Sequence, residues 1–145
     1  MRITKEGRFA VRGLIDLALN ASSSNPVKSD EIAKRMGISK IFLNKIFHRL
    51  LKEGIILSVR GRSGGYILAK NVENISVYEI LEAAGEIIKP VSCVNDEDFP
   101  SICLQFNECL ISPVWQILES KIKETLSKVS LGDVINRKVV NIFES

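Results

Sequence analysis

Residues 37–70 read GISKIFLNKIFHRLLKEGIILSVRGRSGGYILAK, and this stretch decides how the whole chain is interpreted. Its first half carries apolar side chains at helical spacing, namely Leu43, Ile46, Phe47, Leu50 and Leu51. This period predicts an amphipathic helix with one face turned to the core. The opposite face is polar and mostly cationic, and it carries Lys40, Asn44, Lys45, His48, Arg49 and Lys52.

The ends of this helix and the segment after it follow local rules. Ser39 is predicted to cap the start, and Gly54 falls where a left-handed C-terminal cap belongs. A β-branched run at 55–59, a basic glycine-rich turn at 60–65 and a second apolar run at 66–68 predict a hairpin. Helix, strand, turn and strand in this order are typical of a winged-helix DNA reader. The predicted fold class is therefore mainly α with a small β-hairpin wing.

Two more helices are predicted before this stretch. Apolar residues recur on one side of a helix over 7–19. Ser29 is predicted to cap a short second helix, which has acidic residues in its first turn and ends at Gly37. The tight joint at 37–39 then completes a helix-turn-helix, whose second helix is the one that reads DNA.

The C-terminal part is predicted to be helical as well. A capping box at 76–79 predicts a helix to about 84, and Ser112 with Pro113 predicts an N-cap and first turn of a long helix to about 129. The long helix carries an apolar seam: Val114, Leu118, Ile122, Leu126 and Val129. Such a seam is typical of a helix that pairs with a second copy, although a helix folded back on its own core would show it too.

The 145 residues divide into three predicted parts. Residues 1–84 form a winged helix-turn-helix DNA-binding domain, 85–111 a cysteine-bearing sensor loop, and 112–145 a dimerisation helix with a C-terminal helix. Residues 1–70 hold fourteen Lys or Arg against five Asp or Glu, a net +9, whereas the remainder is −6. A one-sided basic domain is typical of proteins that bind the phosphate backbone, although the same cations would also solubilise helix surfaces.

Composition and motifs exclude several classes of protein. The 46% of hydrophobic residues is enough for a packed core, and no apolar run reaches the roughly 18 residues of a membrane helix. Basic residues interrupt the N-terminus and no apolar signal segment follows, so a cytoplasmic location is expected. His48 is the one histidine, and no phosphate-binding G-x-x-x-x-G-K motif occurs, so we expect no enzyme.

Three cysteines, Cys93, Cys103 and Cys109, fall in one loop with spacers of nine and five residues. Clustered cysteines in a cytosolic chain indicate metal or redox chemistry rather than structural disulfides. Three thiolates suit an iron–sulfur cluster, which normally needs four protein ligands, or zinc with one further ligand. The alternative is that they are small apolar residues in a loop.

These pieces together resemble the IscR-type regulators of the Rrf2 family. The resemblance rests on MRITKEGRFAVRGLIDLAL, FLNKIFHRLLKEGII, SVRGRSGGYILAK, the cysteine loop, CLISPVW and LGDVINRK, which occur in the family's order over nearly the whole chain. It implies a bacterial homodimeric transcription factor, often a repressor, that binds a near-palindromic operator in double-stranded DNA. It also implies an iron–sulfur cluster on Cys93, Cys103 and Cys109, with 2Fe–2S favoured over 4Fe–4S.

The resemblance also assigns DNA contacts. Ser39, Asn44 and Lys45 would face bases in the major groove, and Arg60 would reach the minor groove, where narrow A·T stretches attract arginine. The full predicted DNA-binding set follows the polar helix face and the wing: Ser39, Lys40, Asn44, Lys45, His48, Arg49, Arg60 and Arg62.

The chain departs from the family pattern at the fourth ligand. The iron–sulfur-assembly branch has a histidine three residues after the third cysteine, where this chain has Ser112. Some relatives use an acidic residue of the partner's first helix, where this chain offers Arg8 and Arg12. The fourth ligand is left open among a serine, an exogenous thiol and three carboxylates: Glu6, Asp96 and Glu108. Two alternatives remain: a thiol-redox or zinc-responsive regulator without a cluster, and a protein-interaction adaptor.

Overall fold

The computed structural model describes residues 1–93, 103 and 106–140. These residues form six α-helices and one two-stranded antiparallel sheet, which confirms the predicted fold class. The helices are α1 Lys5–Asn20, α2 Ser29–Met36, α3 Lys40–Lys52, α4 Val77–Ala83, α5 Ser112–Lys128 and α6 Leu131–Ile135. The strands are β1 Ile56–Val59 and β2 Gly65–Leu68, and they lie between α3 and α4 in the chain.

The helix-turn-helix consists of α2, α3 and the joint between them. Gly37 adopts the left-handed conformation at φ 67°, which ends α2, and Gly54 follows α3 at φ 73°. The hydroxyl oxygen of Ser39 accepts the backbone N–H of Phe42 at 3.1 Å and so caps α3. Four of the five predicted inner-face residues of α3 are buried, with Leu43, Ile46, Phe47 and Leu50 at most 1% exposed, and the fifth, Leu51, is half-buried against the same core. The structure therefore confirms the prediction that α3 is an amphipathic helix with one face turned to the core.

A single apolar core joins the first four helices to the sheet. Leu14 and Leu17 of α1, Ile32 of α2 and Ile80 of α4 are all completely buried against the inner face of α3. Burial of each such side chain contributes about 1.5–3 kcal/mol, so this core fixes the orientation of α3. The ring of Phe47 also meets Tyr66 of β2 edge-on at 5.2 Å between centroids, which attaches the wing to the same core.

The wing is held by more than its own two strands. Tyr66 exchanges two backbone hydrogen bonds with Val27, in the segment before α2, at 2.8 and 3.1 Å. A Cβ atom on Gly65 would lie 2.9 Å from the Lys28 amide nitrogen and closer still to the Val27 carbonyl. Only glycine permits this approach, so the position of the wing relative to α2 depends on Gly65.

The two C-terminal helices behave differently. Leu131 of α6 is fully buried, and its backbone N–H donates to the Ile75 carbonyl at 2.7 Å, so α6 packs on the winged-helix core. Along α5, by contrast, Val114, Ile117 and Leu118 remain 42–62% exposed. The core thus reaches beyond residues 1–84 to include α6, while α5 keeps an apolar surface.

Three local predictions need correction. Ser29 is the first residue of α2 and not its cap; the cap position is Lys28, which stays extended because the preceding Val27 is paired with the wing. Ser112 is likewise the first residue of α5 rather than its cap, because the turn before it already gives Ile111 helical dihedrals. Val129, predicted to belong to the apolar seam of the long helix, lies just after α5 and is buried within the chain.

Candidate nucleic-acid interface and cysteine segment

The outward face of α3 is a stripe of exposed side chains. Ile41, Asn44, Lys45 and His48 follow one another at i, i+3, i+4 and i+7, and all four are exposed. An α-helix fits the major groove of B-DNA, where an asparagine amide pairs with adenine and a lysine with guanine. The stripe therefore has the shape and the donors for base contacts, and it lies opposite the buried face.

The first turn of α3 adds two predicted residues. Ser39 uses its hydroxyl oxygen as the cap acceptor, which leaves its hydrogen free to donate to a DNA acceptor. Lys40 pairs with Asp30 of α2 at 2.7 Å, and both side chains are more than half exposed. Pairs of this kind contribute at most about 1 kcal/mol, so a phosphate group would readily replace the carboxylate.

Lys45 is joined to the start of α1. Its ammonium lies 3.4 Å from a carboxylate oxygen of Glu6. The pKa of Glu6 is held below its ordinary value, chiefly by a backbone hydrogen bond at the start of the helix and further by Lys45 and Arg49. Glu6 therefore faces the reading helix as an anion, which is a different use from the fourth cluster ligand considered above.

Arg49 makes a contact that the sequence did not indicate. One of its terminal nitrogens donates to the Ala84 carbonyl, at the C-terminal end of α4, at 2.6 Å. The same guanidinium lies over Gly85, where a Cβ would come within 2.9 Å of it. Arg49 thus ties α3 to the start of the cysteine segment, and its contact with DNA stays a prediction.

The start of the cysteine segment is also fixed to α1. The carboxylate of Glu86 accepts the backbone N–H of Thr4 at 3.2 Å and its hydroxyl as well. The same carboxylate covers Gly7, where a Cβ atom would collide with it. The residues that lead into the three-cysteine region therefore contact both the first helix and, through Ala84, the reading helix.

A shallow groove runs between the starts of α2 and α3 and the wing. Its lining includes the cations Lys28, Lys40 and Arg60 together with Asp30. Arg62 lines the neighbouring depression on the other side of Lys28. Cations around a groove of this kind attract the phosphate backbone.

Lys28 is the residue of this groove that sequence analysis missed. The sequence could have indicated Lys28, because this residue directly precedes the first helix of the helix-turn-helix. Helix N-termini with a neighbouring cation suit phosphate groups.

The three cysteines are half-buried free thiols. Among the residues that the structure describes, no three His, Cys, Asp or Glu side chains lie together at metal-binding separations, so the thiols are not assembled into one ligand set. Glu108 is exposed, and Asp96 lies outside the described residues. Thiolates are suitable ligands for an iron–sulfur cluster and for zinc. To hold either group, the three cysteines would have to come closer together than they lie in the structure.

No helix in the described part of the chain has the length and apolar character needed to cross a bilayer.

Comparison with known families gives a consistent result. The model of the Rrf2 family, described as iron-dependent transcriptional regulator, matches residues 3–137. The HTH-type transcriptional regulator IscR of Pectobacterium atrosepticum is 36% identical over 145 residues, which cover 99% of this chain and 85% of the relative. IscR of Escherichia coli strain K12 is 36% identical over 140 residues, or 97% and 83% of the two chains.

Solved structures show the same fold. CymR, the global cysteine regulator of B. subtilis, superposes with a TM-score of 0.71 at 24% identity, covering 94% of this chain and 98% of that one. IscR of T. potens gives 0.71 at 26% identity, with 94% and 88% covered. A transcriptional regulator from Listeria innocua gives 0.74 at 24% identity, with 94% and 87% covered.

Proposed function

Because this chain belongs to the Rrf2 family of transcriptional regulators, we propose that it binds operator DNA as a homodimer whose affinity is set by its cysteine segment. It is a DNA-binding regulator and not an enzyme. The observation that carries the proposal is the cationic groove, which joins α2, α3 and the wing on one surface. In this proposal α3 enters the major groove and the wing reaches the adjacent minor groove.

The major-groove contacts are assigned to the outward stripe of α3. Asn44 and Lys45 carry the donors that distinguish adenine and guanine, and His48 lies one turn further along the same face. Ser39 and Lys40 lie at the start of α3, where recognition helices of this motif meet base edges and backbone. Each bidentate base contact contributes about 1–3 kcal/mol of discrimination.

The wing supplies the minor-groove contact. Arg60 and Arg62 are exposed in a turn whose path is fixed by Gly65 and its approach to Val27. An arginine inserted into a narrow A·T minor groove gains from its enhanced negative potential. We therefore assign Arg60 to the minor groove and Arg62 to the adjacent phosphates.

The dimer contact is assigned to α5. Val114, Ile117 and Leu118 form an exposed apolar surface on this helix, and pairing with a second copy would remove it from water. Two reading helices would then meet major grooves about 34–36 Å apart, so the operator would be near-palindromic. This assignment keeps the division into a DNA-binding domain, a sensor loop and a dimerisation helix.

The cysteine segment is assigned to sensing. Cys93, Cys103 and Cys109 would hold an iron–sulfur cluster, with 2Fe–2S favoured, which supplies a centre sensitive to oxidation and to iron supply. Two contacts connect the residues around the start of this segment to the DNA-binding domain. The Ala84 carbonyl, just before the segment, accepts from Arg49 of α3, and the Glu86 carboxylate accepts from Thr4, the N-cap of α1. These two contacts would couple the cysteine segment to the reading helix.

A second function would use the same side chains. The three half-buried thiols would also suit a thiol-redox regulator, or zinc with one further ligand, with no cluster. Anaerobic purification followed by metal and sulfide analysis separates the two proposals. Iron and sulfide that disappear in a triple Cys→Ser variant support the cluster. A colourless protein with stoichiometric zinc, or with no metal, contradicts it.

The DNA-binding assignment is tested by a matched pair of cation variants. Arg60→Gln should weaken binding to a selected duplex, and most strongly where the minor groove is A·T-rich, because it removes the inserted guanidinium. Lys138→Gln, which removes an exposed cation after α6, should leave the affinity unchanged. Equal effects of the two variants at fixed salt would contradict the assignment of the wing.

A further inference from the structure

Ile41 is an apolar side chain in an unexpected place. It is 84% exposed, and no other large hydrophobic residue within positions 1–93 is exposed as much. It lies on α3 between the exposed Lys40 and the half-buried Phe42. Its exposure sets it apart from the apolar residues that α3 buries.

Ile41 takes no part in the buried core of the fold. The inner face of α3 is complete without it, since Leu43, Ile46, Phe47 and Leu50 supply the buried contacts. A β-branched residue on an exposed helix surface is also less favourable than alanine or a straight-chain polar residue. Neither helix formation nor packing within the chain therefore explains an isoleucine at this position.

Its neighbours indicate what it faces. Ile41 starts the outward stripe that continues through Asn44, Lys45 and His48, at i, i+3, i+4 and i+7. The cations Lys40 and Lys45 flank it, and Lys40 also lines the groove shared with the wing. A protein partner that buried Ile41 would have to desolvate these cations, whereas a polyanionic duplex is complementary to them.

We infer that Ile41 is a specificity-determining residue that packs against the C5-methyl group of thymine in the major groove. The inference deepens the proposed function and rests on it. Thymine is the base whose major-groove edge carries a methyl group, and apolar side chains recognise that group by contact. Ile41 lies in the first turn of the reading helix, the part that meets base edges in this motif. It therefore selects T·A over C·G at one position in each half-site.

The experiment measures the coupling between the side chain and the methyl group. A duplex bound by the full-length protein is selected from a random library, and each thymine is then replaced in turn by deoxyuridine, which lacks the methyl. Burial of one methyl group corresponds to about fourfold in affinity at 25 °C. We expect the wild-type protein to lose about fourfold at one thymine per half-site. Ile41→Ala should lose affinity for the thymine duplex and show no further loss with deoxyuridine at that position.

The control is Leu19→Ala, which removes another exposed apolar side chain, 65% accessible, at the end of α1. This variant should keep the full deoxyuridine effect. If Ile41→Ala shows the same deoxyuridine effect as the wild type, the inference is overturned. A changed oligomeric state of Ile41→Ala with unchanged base preference would place the residue in a protein interface and also overturn it. If the library yields no bound duplex, the proposed function itself fails.

Discussion

Gly65 offers the sharpest test of how the wing is positioned. In Gly65→Ala the new methyl would lie 2.9 Å from the Lys28 amide nitrogen and closer to the Val27 carbonyl, whereas ordinary contacts are 3.4–4 Å. Because the methyl would lie only 2.5 Å from the Val27 carbonyl carbon, the two backbones must separate by roughly 0.9 Å to reach ordinary contact. That movement breaks the hydrogen bonds between Val27 and Tyr66, which are 2.8 and 3.1 Å long. At about 0.5–1.5 kcal/mol each, their loss lowers the free energy of unfolding by about 1–3 kcal/mol.

Urea unfolding followed by circular dichroism measures this loss, and Ser63→Ala, an exposed position in the same turn, is the control. We expect the urea midpoint to fall for Gly65→Ala with an unchanged slope, and to stay constant for Ser63→Ala. DNA affinity of Gly65→Ala should also fall under conditions where the protein remains folded, because the wing is displaced. A stability change below about 0.5 kcal/mol, within the range of ordinary surface substitutions, would refute the reasoning.

Three further predictions concern the contacts around α3 and α6. Arg49→Ala should speed amide exchange near Ala84, because it removes the donor to that carbonyl, and Arg49→Lys should restore part of the protection. Ser130→Ala should lower the free energy of unfolding by about 1 kcal/mol, because it removes the cap of α6, as urea titration can measure. The pKa of Asp133 lies below its ordinary 3.8, chiefly because the Ser130 backbone N–H donates to the carboxylate. Its stabilising effect is therefore present at neutral pH and is lost as the pH falls from 3.8 through the lowered pKa, so wild type and Asp133→Asn should converge in stability there.

Results that would contradict the Arg49 and Asp133 predictions can be stated in advance. Unchanged exchange near Ala84 in Arg49→Ala would remove the proposed link between the cysteine segment and the reading helix. A stability difference between wild type and Asp133→Asn that persists unchanged below pH 3 (roughly, from the ordinary range of aspartate) would show that the carboxylate acts by packing and not by charge.

Local rules were sufficient for the reading helix. The apolar period alone identified the buried residues of α3, because a helix of this length has one face to bury. Gly37 and Gly54 were found by the same reasoning, since a left-handed residue ends a helix and glycine adopts it without strain. The order of elements around α3 then gave the fold class.

Local sequence rules did not predict the contacts between distant parts of the chain. Arg49 and Lys45 both lie on the polar face of α3. That Arg49 donates to the Ala84 carbonyl depends on where α4 lies, which the periodicity of α3 does not show. The contact between Thr4 and Glu86 joins residues 82 apart in the sequence. Periodicity states which residues are exposed on a helix, but not which of them a neighbouring element will use.

For the cysteines, the sequence predicts the chemistry of the side chains but not their arrangement in space. Their number and clustering predict a set of thiolate ligands, which follows from side-chain type alone. Whether Cys93, Cys103 and Cys109 come together depends on the path of the intervening chain, which no period or cap determines. The predicted apolar seam of α5 also differs from the structure. Ile117, which was not assigned to the seam, is exposed, and Val129, which was assigned to it, is buried.

The dependence of duplex binding on salt tests the central claim most directly. If the exposed cations of α2, α3 and the wing contact about three to five phosphates in each protomer, a plot of log K against log salt should have a slope of about −5 to −9. Lys40→Gln, which removes a cation assigned to phosphate, should reduce the slope by about one unit per half-site, and Lys138→Gln should not change it. A selected duplex whose binding is independent of salt, or no duplex binding at low ionic strength, would contradict the account.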